Sequence, residues 1–247
     1  MTQPTAILLG ASGSVGQVLL TEILRSGKFG KVIVLARSSI GAQRIDGTPV
    51  VEVLVPEMDA TKLRQAVVDA LADESTEVVG FSVLGVGAGT AKLSLAQHRA
   101  IDVELNSAFA AGLKVSGKVR HLAFMSAIGA DINARASGSG AAGMPRYARV
   151  KGEAEQAVRG QGLEVVSIFQ PSVIIGSKHT PKVIAAAFSA LSFLMPAKYR
   201  AIRTSEIARA MVAAALDRPK SSAVYTYAEM KALARRIEKW PGLKSQS

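Results

Sequence analysis

Hydrophobic positions along this 247-residue chain gather into short unbroken runs. Ala6–Leu9, Lys31–Ala36, Val50–Val55, Glu77–Leu84, Val119–Met125 and Glu164–Phe169 read as strands buried on both faces. Between them lie longer stretches with helical spacing, at Val15–Leu24, Ala60 to about Ala72, Ala91 to about Ala111, and Pro145 to about Gly160. The punctuation agrees: Asp59 is placed to cap the second helix, Gly112 to stop the third, and Pro145 is tolerated in a first turn. Strands alternating with helices predict an α/β fold, a doubly wound parallel sheet of the Rossmann type. After Phe169 the pattern turns mostly helical, at Lys182–Leu194, Thr204–Leu216 and Ala228–Lys239, with a short strand at Ala223–Thr226. No repeat or long linker divides the chain. The expectation is one domain over 1–247, its core at about 4–170 and a small C-terminal substrate region at about 171–247.

One stretch breaks the rhythm. Ala130–Met144, ADINARASGSGAAGM, is rich in Gly, Ala and Ser, so it should bury little and be mobile. The absence of cysteine removes disulfides, thiol nucleophiles and cysteine-ligated metal from consideration. His98, His121 and His179 lack ligand-like spacing, so no metal site is expected and they read as buried or surface histidines. The N-terminus carries no basic segment before its apolar run. The apolar stretch Val183–Met195 is too short to span a bilayer. It reads as packing on the core or as a subunit interface, so a homodimer is open, with contact to a membrane surface the weaker alternative. A cytoplasmic protein with no integral membrane association is expected. Seven units of the net charge of +11 arise from Lys198 onward, where eleven basic residues face four acidic ones. The charges are scattered and no aromatic platform interleaves them, which favours a solvated basic face over nucleic-acid binding.

The candidate chemistry begins at the first strand. Thr5–Gly16, TAILLGASGSVG, runs from strand through glycines into helix. In that context Gly10 can take the sharp turn, Gly13 can let a pyrophosphate approach, and Gly16 can permit close helix–strand packing. The helix N-terminus, with Ser12, Ser14 and Val15 around it, then offers amides to phosphate charge. Arg37 and Ser38 end the second strand, where a carboxylate would grip the ribose of NAD and a basic group the 2′-phosphate of NADP. A guanidinium there, with no carboxylate, favours NADP(H) over NAD(H). Leu84 and Gly85, at the end of the fourth strand, join the candidate cofactor residues. Tyr147 and Lys151 stand four apart on a predicted helix and share a face. An ammonium beside a phenol favours phenolate, so Tyr147 could exchange a proton while a nicotinamide exchanges a hydride. Lys151 could also hold the cofactor ribose, and Ser126 could hydrogen-bond the reacting oxygen. Asp102 and Asn106 share a helix face and could support the cofactor cleft, but solvated helix polars are the favoured reading.

Together Gly10-x-x-Gly13-x-x-Gly16, Ser126 and Tyr147-x-x-x-Lys151 resemble the short-chain dehydrogenase/reductase superfamily, in its atypical or extended branch. His121–Asp131 and Tyr147–Glu155 are most similar to the Tat-interacting-protein-like and NmrA-like members. Gln170-Pro171-Ser172-Val173-Ile174-Ile175-Gly176 resembles the segment that these proteins place beside the nicotinamide, which implies Pro171 and Val173 as cofactor contacts. The resemblance extends from Thr5 to about Leu216 and implies a Rossmann domain binding NADP(H). Three positions depart from it. Gln170 replaces the family arginine, Ala127 removes a second hydroxyl after Ser126, and the segment before Tyr147 is longer. Two readings follow. One is an NADP(H)-dependent oxidoreductase acting on a carbonyl or alcohol of a small organic substrate, with Ser126, Tyr147 and Lys151 catalytic. The other is an NADP(H)-binding redox-sensing regulator with a protein partner and little or no turnover.

Overall fold

The computed structural model describes residues 3–41, 47–176 and 196–238. Strand and helix alternate along it. β1 (Thr5–Leu9) leads to α1 (Ser14–Arg25), β2 (Lys31–Ala36), β3 (Val50–Leu54), α2 (Ala60–Leu71) and β4 (Val78–Ser82). Next come α3 (Leu95–Arg99), α4 (Leu105–Ser116), β5 (Val119–Met125), α5 (Pro145–Gly160) and β6 (Val165–Phe169). β7 (Ile174–Ile175), β8 (Ile202–Arg203), α6 (Thr204–Leu216), β9 (Ala223–Tyr225) and α7 (Tyr227–Glu238) follow. Among the described residues, seven strands make one parallel sheet in the order β3-β2-β1-β4-β5-β6-β9, while β7 and β8 pair separately. The chain winds outward from β1 to β3, then returns to lay β4 beside β1. That reversal opens a crevice at the carboxyl ends of β1 and β4.

Side-chain alternation along the strands divides the core into two layers. Ala6 and Leu8 face α1, α6 and α7, packing with Leu19, Ile23, Ile207, Met211 and Met230. Ile7 and Leu9 face the other way, toward Leu63, Val67, Phe109, Leu113 and Val158. Both faces of β1 are therefore dry, which is why its sequence is a run and not an alternation. The C-terminal region holds α6, α7 and the β7–β8 pair. The predicted helix at Lys182–Leu194, the apolar stretch Val183–Met195 and His179 lie outside the described residues.

The predicted helix from Ala91 to Ala111 is corrected at both ends. Gly87–Lys92 is a 3-10 turn, and Ser94 caps α3 in a box with Gln97. A π-helical turn, Ala100–Glu104, joins α3 to α4 without a break. Gly112 does not stop the helix. A Cβ there would lie 2.7 Å from Val67 Cβ and 2.9 Å from the Arg64 carbonyl, so the missing side chain lets α4 press against α2. The stop is Gly117, in the left-handed conformation at φ +68°. Asp59 behaves as expected, its carboxylate accepting from the Lys62 amide at 2.8 Å.

Ala130–Met144 is irregular, as its composition suggests, but it is tethered. The Asp131 amide donates to Ala148 O at 2.9 Å, and the Arg149 and Arg146 guanidiniums donate to Ala134 O and Gly138 O. Gly152 of α5 leaves room for this backbone, since a Cβ there would stand 2.3 Å from the Ile132 amide. Backbone hydrogen bonding to one helix supplies order that a composition reading cannot see. The basic C-terminal region is also partly neutralised. Arg209, Arg218, Lys231 and Arg236 pair with Glu22, Glu77, Glu206 and Asp217.

His121 of β5 is buried, with Nε2 2.9 Å from Ser167 Oγ, and desolvation pushes its pKa down to about 4. An unfolded histidine titrates near 6.5, so as pH falls the unfolded chain takes up the proton first. The stability held by neutral His121 is complete above pH 6.5 and drains away between 6.5 and about 4. At pH 5 the loss is about 2 kcal/mol, measurable as a lower urea midpoint than at pH 7. Burial lowers the His98 pKa as well, which adds to the same trend. In His121→Gln the dependence between pH 7 and 5 should flatten; an unchanged slope would assign it to other groups.

Candidate active site

The glycine turn between β1 and α1 has little slack. Gly10 has φ +92°, and a Cβ on it would stand 2.7 Å from the Leu84 amide at the end of β4. A Cβ on Gly16 would stand 2.0 Å from Gly10 O. The Gly13 amide closes the turn by donating to the same carbonyl at 3.1 Å. These contacts hold the first turn of α1 against the sheet edge, with the helix N-terminus at the mouth of the crevice.

That crevice is a cleft of about 340 Å³ over the ends of β1, β2 and β4. Gly10, Ser12, Gly13, Arg37, Leu84 and Gly85 line it, together with apolar walls from Leu9, Leu35, Met58, Ile101 and Leu105. Arg37 is exposed at its rim, at the end of β2. The other candidate cofactor residues take different places. Val15 and Gly16 are buried in α1, and Ser14 begins that helix. Ser38 is exposed. Pro171 is buried, and its carbonyl accepts from the Ile128 amide. The Val173 carbonyl accepts from Ile202, joining the β7–β8 pair.

Gly85, which lines the cleft, also meets a buried ionic cluster. Lys151 of α5 is 4% exposed, and Nζ donates to Asp102 Oδ1 at 2.5 Å. Asp102 is 1% exposed on the π-helical turn, and its Oδ2 accepts from the Val86 amide at 3.3 Å. A Cβ on Gly85 would lie 3.1 Å from both Lys151 Nζ and Asp102 Oδ1, so the loop passes directly over the pair. Burial disfavours the Lys151 charge, but the Asp102 carboxylate and the Tyr147 phenol outweigh it and hold the ammonium above its usual range. The Tyr147 ring is 5.7 Å from Lys151 Nζ and 5.8 Å from the His98 ring. His98 is fully buried, and burial pushes its pKa down.

Asp102 and Asn106 are thus not solvated helix polars. Asn106 is 1% exposed, accepts from Ser82 Oγ at 2.5 Å, and donates to Leu84 O and Asp102 O. It ties the end of β4 to the π-helical turn. The sequence spacing signals their common face but not which side of the helix meets the core. The helix pair is braced further out by Arg99, whose guanidinium forms two bonds to Glu153, while Arg149 adds a third. The Arg99 contact is the main reason that the Glu153 carboxyl titrates below its ordinary range.

Ser126 ends β5, where its amide donates to Phe169 O at 2.8 Å. Its hydroxyl is buried and has no hydrogen-bond partner among the described residues. Lys151 and Tyr147 are therefore neighbours, while no hydrogen bond joins Ser126 to either of them among the described residues. A buried hydroxyl left unpaired is unfavourable unless something else completes it. Among the described residues, no cluster of metal-ligating side chains occurs and no helix is long and apolar enough to cross a membrane.

A family model described as NAD(P)H-binding matches residues 10–218. "Protein FMP52, mitochondrial" of Eremothecium gossypii is 28% identical over 182 residues, which cover 71% of this chain and 68% of that protein. A short chain dehydrogenase from Burkholderia cenocepacia J2315, solved in complex with NADP, superposes with a TM-score of 0.62 at 16% identity, covering 96% of this chain and 94% of its own. The Bordetella bronchiseptica enzyme WbmH, in complex with NAD+, gives 0.61 at 14% identity, covering 91% and 76%. At such identities the two solved structures share the fold with this chain.

Proposed function

Since the chain belongs to the NAD(P)H-binding family and has the Rossmann architecture of short-chain dehydrogenases, we propose that it is an NADP(H)-dependent oxidoreductase acting on a carbonyl or alcohol. The supporting observation is that the cleft bearing Arg37 and the pair Tyr147 and Lys151 meet at one residue. Gly85 belongs to both parts, lining the cleft and lying over Lys151. The residues present suit a dinucleotide. Gly10 and Gly13 bring backbone without a side chain to the cleft wall, and the buried Ser126 hydroxyl has no hydrogen-bond partner among the described residues.

When bound, the dinucleotide would supply or accept the hydride. The chain's own residues do the rest. The α1 amides and Gly13 receive phosphate charge. Arg37 offers a fork of donors to the 2′-phosphate. Lys151 holds ribose hydroxyls, and Tyr147 gives a proton to the carbonyl oxygen or takes one from the alcohol. Ser126 donates to that same oxygen.

Direct titration tests the cofactor half of this reading. NADPH should bind more tightly than NADH, and Arg37→Ser should weaken NADPH about 10- to 100-fold, with NADH little changed. Equal or tighter NADH binding in the parent would overturn the NADP preference. A screen of small carbonyl compounds, read as NADPH oxidation, tests the activity. Tight NADPH binding with no turnover by any substrate class would instead support the regulatory reading.

A further inference from the structure

The charge that should activate Tyr147 is already engaged. Lys151 is almost fully buried, as is Asp102, and the two are in direct contact at 2.5 Å. A buried ammonium without a counter-ion is expensive, and burial alone would drive it toward the neutral amine. Asp102 does more than neutralise. Its second oxygen holds the Val86 amide, so one carboxylate joins α5, the π-helical turn and the loop that follows β4. Its position is itself fixed, because Asn106 donates to the Asp102 carbonyl and to Leu84 O. A π-helical turn at this point is consistent with a side chain aimed for function.

We propose that Asp102 is the positioning residue of this site, fixing the Lys151 ammonium in charge and place and coupling it to the Gly85–Val86 loop. This rests on the oxidoreductase reading for its purpose, but the ionic device belongs to the protein alone. Among the described residues, the other groups facing the pair are few. Tyr147 and Glu155 on α5 favour the Lys151 charge. His98 on α3 lies 3.8 Å from Asp102 Oδ2 and has a lowered pKa. Arg146 and Glu153 act on His98 from α5 with opposite signs.

Carbon-13 NMR of the lysine Cε groups, in protein without dinucleotide, tests the proposal, with the Lys151 resonance assigned by its loss in Lys151→Arg. In the parent, Lys151 should stay protonated while the other lysines titrate. In Asp102→Asn, of nearly equal shape, it should lose its proton before them, at least one pH unit lower, and the alkaline limb of turnover should move with it. If Asp102→Asn does not fold, Lys151→Gln provides the reciprocal reading. The Asp102 carboxyl, left buried without its cation, should then titrate above the ordinary carboxylate range. Lys151 titrating with the other lysines in Asp102→Asn, or an Asp102 carboxyl in the ordinary range in Lys151→Gln, would overturn the proposal. A merely structural Asp102 would lower thermal stability and leave both titrations and the pH profile unmoved. A failed carbonyl screen leaves this proposal standing, and an unmoved Lys151 titration leaves the oxidoreductase reading standing.

Discussion

Tyr147→Phe is expected to lower turnover about a thousandfold and leave NADPH affinity within a factor of about two. The substitution removes one oxygen and keeps the ring. The ring's neighbours, His98 at 5.8 Å and Lys151 at 5.7 Å, lose no packing partner. Lys151 keeps its bond to Asp102, so the ionic cluster survives. What disappears is the proton that must reach or leave the substrate oxygen. Steady-state rates measured beside a direct NADPH titration separate the two effects. Turnover within tenfold of the parent would remove Tyr147 from its role and leave Ser126 or solvent as the proton source. A joint loss of turnover and NADPH binding would mean that the phenol helps to seat the dinucleotide.

Gly16→Ala should be the most damaging single-methyl change in the chain's first turn. The added carbon would sit 2.0 Å from Gly10 O and 2.8 Å from Ala11 Cα, all backbone atoms with no flexible end to swing aside. Either α1 retreats from β1 or the turn opens. Retreat would strip contacts from Leu19 and Ile23, which are fully buried in the layer beneath α1. Overpacking of this severity costs about 3 kcal/mol or more. The same movement displaces the amides around Gly13, so NADPH binding should weaken more than tenfold even at temperatures where the variant is folded. Gly160→Ala is the control, since a Cβ there meets nothing within 4 Å. Thermal melts and NADPH titrations of both variants decide the matter. A Gly16→Ala protein with parental melting temperature and affinity would show that the turn has more freedom than its geometry allows.

Much of this arrangement is legible in the chain. Runs such as Ala6–Leu9 and Val32–Ala36 announce strands dry on both sides, because two helical layers leave no wet face for a polar residue. The Gly10–Gly16 spacing announces the turn, since only a residue without Cβ fits against backbone at those distances. Asp59 announces its cap because capping is settled within four residues. Where the reading failed, local chemistry was outvoted by packing. Gly112 has the composition of a helix stop, but its lack of a side chain serves the α2–α4 contact, and α2 is about 45 residues away in sequence. Ala130–Met144 is irregular as its composition suggests, and packing adds what composition does not announce, carbonyls meeting Arg146 and Arg149.

Residue order alone therefore specifies the doubly wound sheet, its glycine turn and the two ends of the candidate site, Arg37 and the Tyr147–Lys151 face. Each of these is encoded in spacing along one element or its immediate neighbour. What Lys151 does was settled by long-range packing. Its partner Asp102 is 49 residues away, buried on the π-helical turn. The i, i+4 relation of Asp102 to Asn106 gives them one face, but which face is buried depends on how α4 docks between α2 and α5. That docking is set by core residues such as Leu63, Phe109 and Val158. A charge is costly to bury alone, so the fold had to bring both members of the pair to one point before either could stay ionised there.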